Sequence, residues 1–194
     1  VRYAYELVKN GRIGALKEIH VNMPNSDNHH MTLRQDRGPH PVMPVPEGFH
    51  YDMWLGPASW AEYTRKRTHF WWRFILETGG GEMTDRGAHI IDLAQFINDA
   101  DDTGPISLKA KGEQVTSKLF DCFIEYEFEC EYANGIKLIG TSEGDRGLKL
   151  VGDDGWIFIH IHGGRLEASN PEILQSRIGP NEIHTQYSPG HHRN

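Results

Sequence analysis

From Cys122 to Tyr132 the chain alternates without a break. Cys122, Ile124, Tyr126, Phe128, Cys130 and Tyr132 fall on one side; Phe123, Glu125, Glu127, Glu129 and Glu131 fall on the other. A period of two with one apolar and one acidic side fits a half-buried strand and does not fit a helix, whose repeat is near 3.6. Asn134-Gly135 follows at once, a pair suited to the positive-φ positions of a tight hairpin turn. It predicts a return strand from Ile136 to Glu143. A second hairpin is expected from Leu148 to Val151, over Asp153-Asp154-Gly155, and back from Trp156 to Ile161. Ile106 to Lys111 supplies one more strand, with Lys109 and Lys111 able to pair across the ladder with the glutamate row. Cys122 and Cys130 sit eight residues apart on one strand, too far for a disulfide.

The rest of the chain reads as helix, strand and a long connection. Residues 2 to 10 have a helical pattern that ends at Gly11, the usual place for a C-terminal glycine. A strand follows from Leu16 to Met23. From Pro24 to about Arg67, six prolines and scattered histidines predict a surface excursion with short helical turns, among them Pro57 to Tyr63. Thr84 to Asn98 is the clearest helix, with Thr84 as N-cap. Ile90, Leu93, Ala94 and Ile97 form its apolar stripe, and Asp85, His89 and Asp92 form a polar stripe on a different face. The sum is an α+β fold: an open, predominantly antiparallel sheet with helices packed on one face. The whole of residues 1–194 reads as a single domain. It is expected to be cut at both ends, since Val1 opens directly into a helical pattern and His191-His192-Arg193-Asn194 closes on no element.

Bulk properties exclude some roles. A formal charge of −7 with no Lys/Arg cluster argues against nucleic acid. No apolar run approaches the roughly 20 residues that span a bilayer, so no membrane span is expected. Compartment stays open between cytoplasmic and exported. Twelve histidines include the adjacent pairs His29-His30 and His191-His192, but no His-x-x-x-His, His-Glu-x-x-His or Cys-x-x-Cys spacing occurs, and no metal is expected. Gly79-Gly80-Gly81 has Thr84 where a dinucleotide fingerprint needs its third glycine, and no parallel βαβ unit surrounds it. Two readings stand for Asp85 and His89: a proton-shuttling pair, or a solvated i,i+4 contact. The aromatic stretch containing Tyr51, Trp54, Trp60, Tyr63, Phe70, Trp71 and Trp72 either stacks on sugar rings or forms a satellite core. The glutamate row is either solvated or a charged subunit contact.

In order along the chain, Leu7-Val8-Lys9-Asn10-Gly11-Arg12-Ile13-Gly14, Tyr51-Asp52-Met53-Trp54-Leu55-Gly56-Pro57-Ala58, Gly79-Gly80-Gly81 leading to Asp85, His89 and Asp92, Tyr132-Ala133-Asn134-Gly135 and Gly152-Asp153-Asp154-Gly155-Trp156-Ile157 resemble one family. It is the C-terminal domain of the glucose–fructose oxidoreductase/inositol dehydrogenase (Gfo/Idh/MocA) family. The resemblance implies a dihydrodipicolinate-reductase-like domain whose Rossmann partner, absent from this chain, holds most of an NAD or NADP cofactor. It implies an oxidoreductase acting on a CH–OH group of a sugar or polyol, with the fragment alone inactive. Asp85 and His89 match the family's Asp-x-x-x-His acid/base pair residue for residue. Asn22, Asn25, Trp72 and Arg73 are candidates for contacts to substrate hydroxyls. The family's Lys, from a Glu-Lys-Pro motif of the Rossmann domain, is not in this chain. A homo-oligomer, dimer or tetramer, joined through the sheet face is implied as well. Two alternatives remain: an NAD-dependent glycosidase of the same family, and a non-enzymatic sugar-binding or assembly domain.

Overall fold

The computed structural model describes residues 1–115, 117–161 and 163–187; the His191-His192 pair lies outside them. Seven strands form one sheet in the order β2-β3-β4-β1-β5-β6-β7. They are β1 (Leu16–Asn22), β2 (Ser107–Gln114), β3 (Phe123–Glu131), β4 (Lys137–Thr141), β5 (Gly147–Gly152), β6 (Trp156–His160) and β7 (Leu166–Ala168). Only the β1–β4 pair is parallel; the other five pairings are antiparallel. Both expected hairpins form, β3–β4 around Asn134-Gly135 and β5–β6 around Asp153-Asp154-Gly155. Gly135 takes φ +81°, the conformation for which the Asn-Gly turn needs glycine. The short β7 and the helix α5 (Pro171–Gln175) add to what the sequence pattern foretold.

The alternation in β3 becomes two chemically different sheet faces. Ile124, Tyr126, Phe128 and Cys130 are buried, and they join Ile19, Val21, Leu138, Leu148, Leu150, Ile157 and Ile159 on the inner side. On the outer side Lys109 stands opposite Glu129 and Lys111 opposite Glu127, as the cross-strand charges foretold. Lys111 and Glu127 make an ion pair of 2.9 Å in the open. Both cysteines are free and buried. Gly140 lies opposite Phe128 because the aromatic ring occupies the space a Cβ would need.

Helices α1 (Arg2–Lys9) and α4 (Glu82–Ile97) cover the inner face. Ala4, Leu7 and Val8 of α1 and Ile90, Ala94 and Ile97 of α4 belong to one cluster with the sheet residues. At roughly 25 cal/mol per Å² of apolar surface removed from water, this layer is what holds α4 in place. The α4 stripe runs through Gly87, Ile90, Ala94 and Ile97, with Leu93 only half-buried on its shoulder.

Two expectations need correction. Helix α4 begins at Glu82, not Thr84. Gly81, at φ +76°, occupies the N-cap position, and the Thr84 hydroxyl bonds back to the Gly79 and Gly81 carbonyls. The helix extends upstream because Glu82 is buried against the protein. Secondly, Pro57 to Tyr63 is not helical; the helix there is α3 (Tyr51–Leu55), ended by Gly56 at φ +56°. In line with the short helical turns expected there, the connection also holds α2 (Asn28–Gln35), anchored by buried His30 and Leu33. No helix among the described residues is long and apolar enough to cross a membrane.

Candidate functional site

The polar side of α4 gathers the charged groups of the molecule's middle. A 3-10 turn, His69–Phe74, brings Arg73 alongside the start of α4, and the three glycines make the close approach feasible. A Cβ on Gly79 would lie 2.5 Å from the Arg73 Cα, and one on Gly81 would lie 2.9 Å from the Cys122 Cβ. Gly80 and Gly81 also have φ of +78° and +76°. The glycine run therefore packs on protein rather than cradling a phosphate.

Arg73 is held on two sides. Its guanidinium lies 4.1 Å from the Phe70 ring centre, and its Nη1 is 2.9 Å from Asp85 Oδ2. A planar cation over an aromatic face, with a carboxylate beside it, has little freedom to turn. Asp85 keeps part of its surface in solvent. His89, one turn further along α4, is exposed and makes no hydrogen bond among the described residues. The structure thus joins Asp85 to Arg73, two residues picked out for different roles, and does not join Asp85 to His89. Asp92 is exposed beyond them.

Trp72 faces a cleft of about 300 Å³ that it lines with Trp54, Leu55, Pro57, Glu77 and Thr78. The other aromatics divide. Tyr51 and Tyr63 form a small buried cluster, whereas Trp60 is 73% exposed. Asn22 alternates with buried Ile19 and Val21, so it leaves β1 on the face away from α4. The Asn25 amide donates to the Ile124 carbonyl at 2.7 Å and reaches the Ser142 hydroxyl at 3.5 Å.

Sequence spacing missed a second cluster, one turn before Asp85. Glu82, 1% exposed, accepts from His29 Nε2 at 2.8 Å through Oε1. His30 Nε2 lies 3.2 Å from the same oxygen but off the hydrogen-bond direction, and both His30 ring nitrogens are buried without a hydrogen-bond partner among the described residues. Arg86 Nε is 3.2 Å from Glu82 Oε2. Asp27 Oδ2 is gripped by Arg86 Nη1 at 2.5 Å and Arg146 Nη2 at 2.7 Å. Burial pushes the Glu82 carboxyl up, but the close approach of His30, the hydrogen bond from His29 and the charge of Arg86 outweigh it and hold it below its ordinary range. Burial lowers His29 in spite of its bond to Glu82. The adjacent His29-His30 pair was the only local signal; Glu82 is 53 residues from His29 in sequence.

A third cluster surrounds Asp36, which accepts from Ser117 Oγ at 2.6 Å, pairs with His40 Nε2 at 2.8 Å and with Lys66 Nζ at 3.1 Å. Burial raises its carboxyl, and the bonds from Ser117, His40 and Lys66 prevail, taking it down to about 2.

A family model described as the C-terminal alpha/beta domain of an oxidoreductase family matches residues 1–170. The fold is similar to that of levoglucosan dehydrogenase in complex with NADH and levoglucosan: 17% identity, 87% of this chain and 39% of that one covered, TM-score 0.52. The same enzyme in complex with NADH and L-sorbose aligns at 15% identity over 95% of this chain and 43% of that one, with a TM-score of 0.51. The chain thus spans about two fifths of the length of these structures. No curated protein sequence matches.

Proposed function

The chain belongs to the Gfo/Idh/MocA oxidoreductase family, as its C-terminal alpha/beta domain, and on that premise we propose that it is the substrate-facing half of an NAD(P)-dependent oxidoreductase acting on a sugar or polyol CH–OH group. The observation that carries this reading is the placement of His89: exposed, free of hydrogen bonds among the described residues, and one turn beyond an Asp85 that Arg73 already fixes. An imidazole that is not engaged elsewhere can take the substrate hydroxyl proton and return it, which is the task of a positioned general acid/base. Asp85 supplies negative charge beside it, and Arg73 keeps that carboxylate in place. The nicotinamide, held mainly by a Rossmann domain outside this chain, supplies the hydride chemistry. By this reading the chain alone is inactive.

Trp72, with Trp54 across the cleft, offers the apolar surface on which sugar rings stack. Arg73 is the better placed of the polar candidates. Asn22 leaves the opposite sheet face and Asn25 is engaged with Ile124 and Ser142, so neither carries the proposal. The outer sheet face, with its rows of lysine and glutamate, is proposed as the contact through which a dimer or tetramer forms.

The test uses the full-length protein. With NAD+ or NADP+ and a panel of sugars and polyols, nicotinamide reduction is expected. Release of phenol from aryl glycosides without net reduction would replace the dehydrogenase reading with the glycosidase one. Neither activity, with sugar binding retained, would leave a binding domain.

A further inference from the structure

The cluster of Asp27, His29, His30 and Glu82 lies outside the proposed proton-transfer pair and needs its own explanation. His29 and His30 are consecutive residues in the first turn of α2, yet both bring Nε2 close to one oxygen of Glu82, at 2.8 and 3.2 Å. Their rings are 4.1 Å apart, tilted at 41°. Asp27, His29 and His30 each offer a ligand atom within 4.8 Å of the others. Two imidazoles and a carboxylate at such separations are the donor set of a transition-metal site. With metal–ligand bonds of about 2.0–2.2 Å in a tetrahedral site, neighbouring donors stand roughly 3.3–3.6 Å apart.

As a simple ion pair the arrangement is incomplete. His30 is fully buried, and its Nε2 points near a carboxylate without making a hydrogen bond. Buried ring nitrogens in a folded protein normally find a partner. A cation seated between the two imidazoles and Glu82 Oε1 would give His30 Nε2 that partner.

We propose that His29, His30 and Glu82, with Asp27 at the edge, bind one divalent transition-metal ion of the zinc class and so tie α2 to the start of α4. The donor chemistry excludes Mg2+ and Ca2+ as preferred ions, because those take oxygen ligands almost throughout. Arg86 and Arg146 act from outside: both hold Asp27 Oδ2, and Arg86 also faces Glu82 Oε2, so they orient the two carboxylates. Their positive charge also makes the site weaker than a zinc site with an all-anionic surround. Asp27 and His29 keep some contact with solvent, which gives an ion its way in.

The test is titration of the full-length protein, free of any polyhistidine tag and stripped with chelator, with Zn2+ alone and separately with Mg2+. One Zn2+ per chain and no comparable Mg2+ uptake are expected, and Co2+ should develop the visible bands of a site with nitrogen and oxygen donors. His29→Ala and Glu82→Gln should each abolish the uptake, and Asp27→Asn should weaken it by about 10- to 100-fold. His29 is the variant of choice because, unlike His30, it is not fully buried; circular dichroism checks that it folds. No uptake at stoichiometric Zn2+ would overturn the proposal, and so would uptake that persists in folded His29→Ala or Glu82→Gln.

Discussion

Two stretches of this chain are nearly the same pentapeptide, Asp36-Arg37-Gly38-Pro39-His40 and Asp85-Arg86-Gly87-Ala88-His89, and the fold puts them to opposite use. In the first, a loop turning at Gly38 (φ +66°) brings the His40 ring back onto Asp36 at 2.8 Å. Ser117 and Lys66 complete the shell, and the Asp36 side chain is 4% exposed. In the second, the same spacing lies inside α4. Asp85 is 30% exposed and held by Arg73, and His89 is exposed with no hydrogen-bond partner among the described residues. Identical spacing therefore does not fix a role. The first pair is a latch whose groups satisfy one another; the second leaves an imidazole free to exchange a proton with something that arrives.

The contrast can be broken most forcefully at the latch. Asp36→Ala removes the anion from three donors, and unfolding in urea should show a loss of about 1–3 kcal/mol. The conservative Asp36→Asn should also expose the pH dependence. The folded carboxyl sits at about 2 against an ordinary 3.8. A depressed carboxyl stabilises the fold fully above its unfolded value and loses that contribution as pH falls through the folded value. The stability gap between the wild type and Asp36→Asn should therefore be constant at neutral pH and shrink as pH drops from 3.8 toward 2. A gap that widens in acid would show that Asp36 is not the latch.

Helix α4 offers the next comparison, within one element. Ile90→Ala, beneath the helix, should destabilise by roughly 2–5 kcal/mol and leave turnover per folded molecule unchanged. Asp85→Asn, on the other side, should alter stability by about 1 kcal/mol or less, since its ion pair is partly solvated. Its mark should instead be a displaced pH–rate profile of the full-length enzyme. An Asp85→Asn protein as unstable as Ile90→Ala would turn the open pair into a second latch.

How much of this was legible in the sequence follows from where the partners lie. The β3 face needed only its own residues, because alternation is local, and the pairing of Lys109 and Lys111 with the glutamates followed from the hairpin register. The α4 stripe was legible too, except that Leu93 stands on its shoulder. The helix lies on the sheet so that Gly87 meets Met23, with only 3.3 Å from a Cβ there to the sulfur. The segment between β1 and α4 was opaque. Asp36 finds Ser117 across 81 residues and His29 finds Glu82 across 53, and no periodicity reports contacts of that kind. The Asp85–Arg73 pair was hidden in the same way: each residue stood out for its chemistry, and only the glycine-backed turn at 79–81 brings them together.

The central claim is that His89, near Asp85, moves the substrate proton while the buried side of α4 serves the fold. Its most direct test is His89→Ala in the full-length enzyme, with kcat and thermal unfolding measured on the same preparation. The expected result is a fall in kcat of about 10² to 10⁴ with the unfolding transition unmoved. Normal turnover, or a protein that no longer folds, would contradict it.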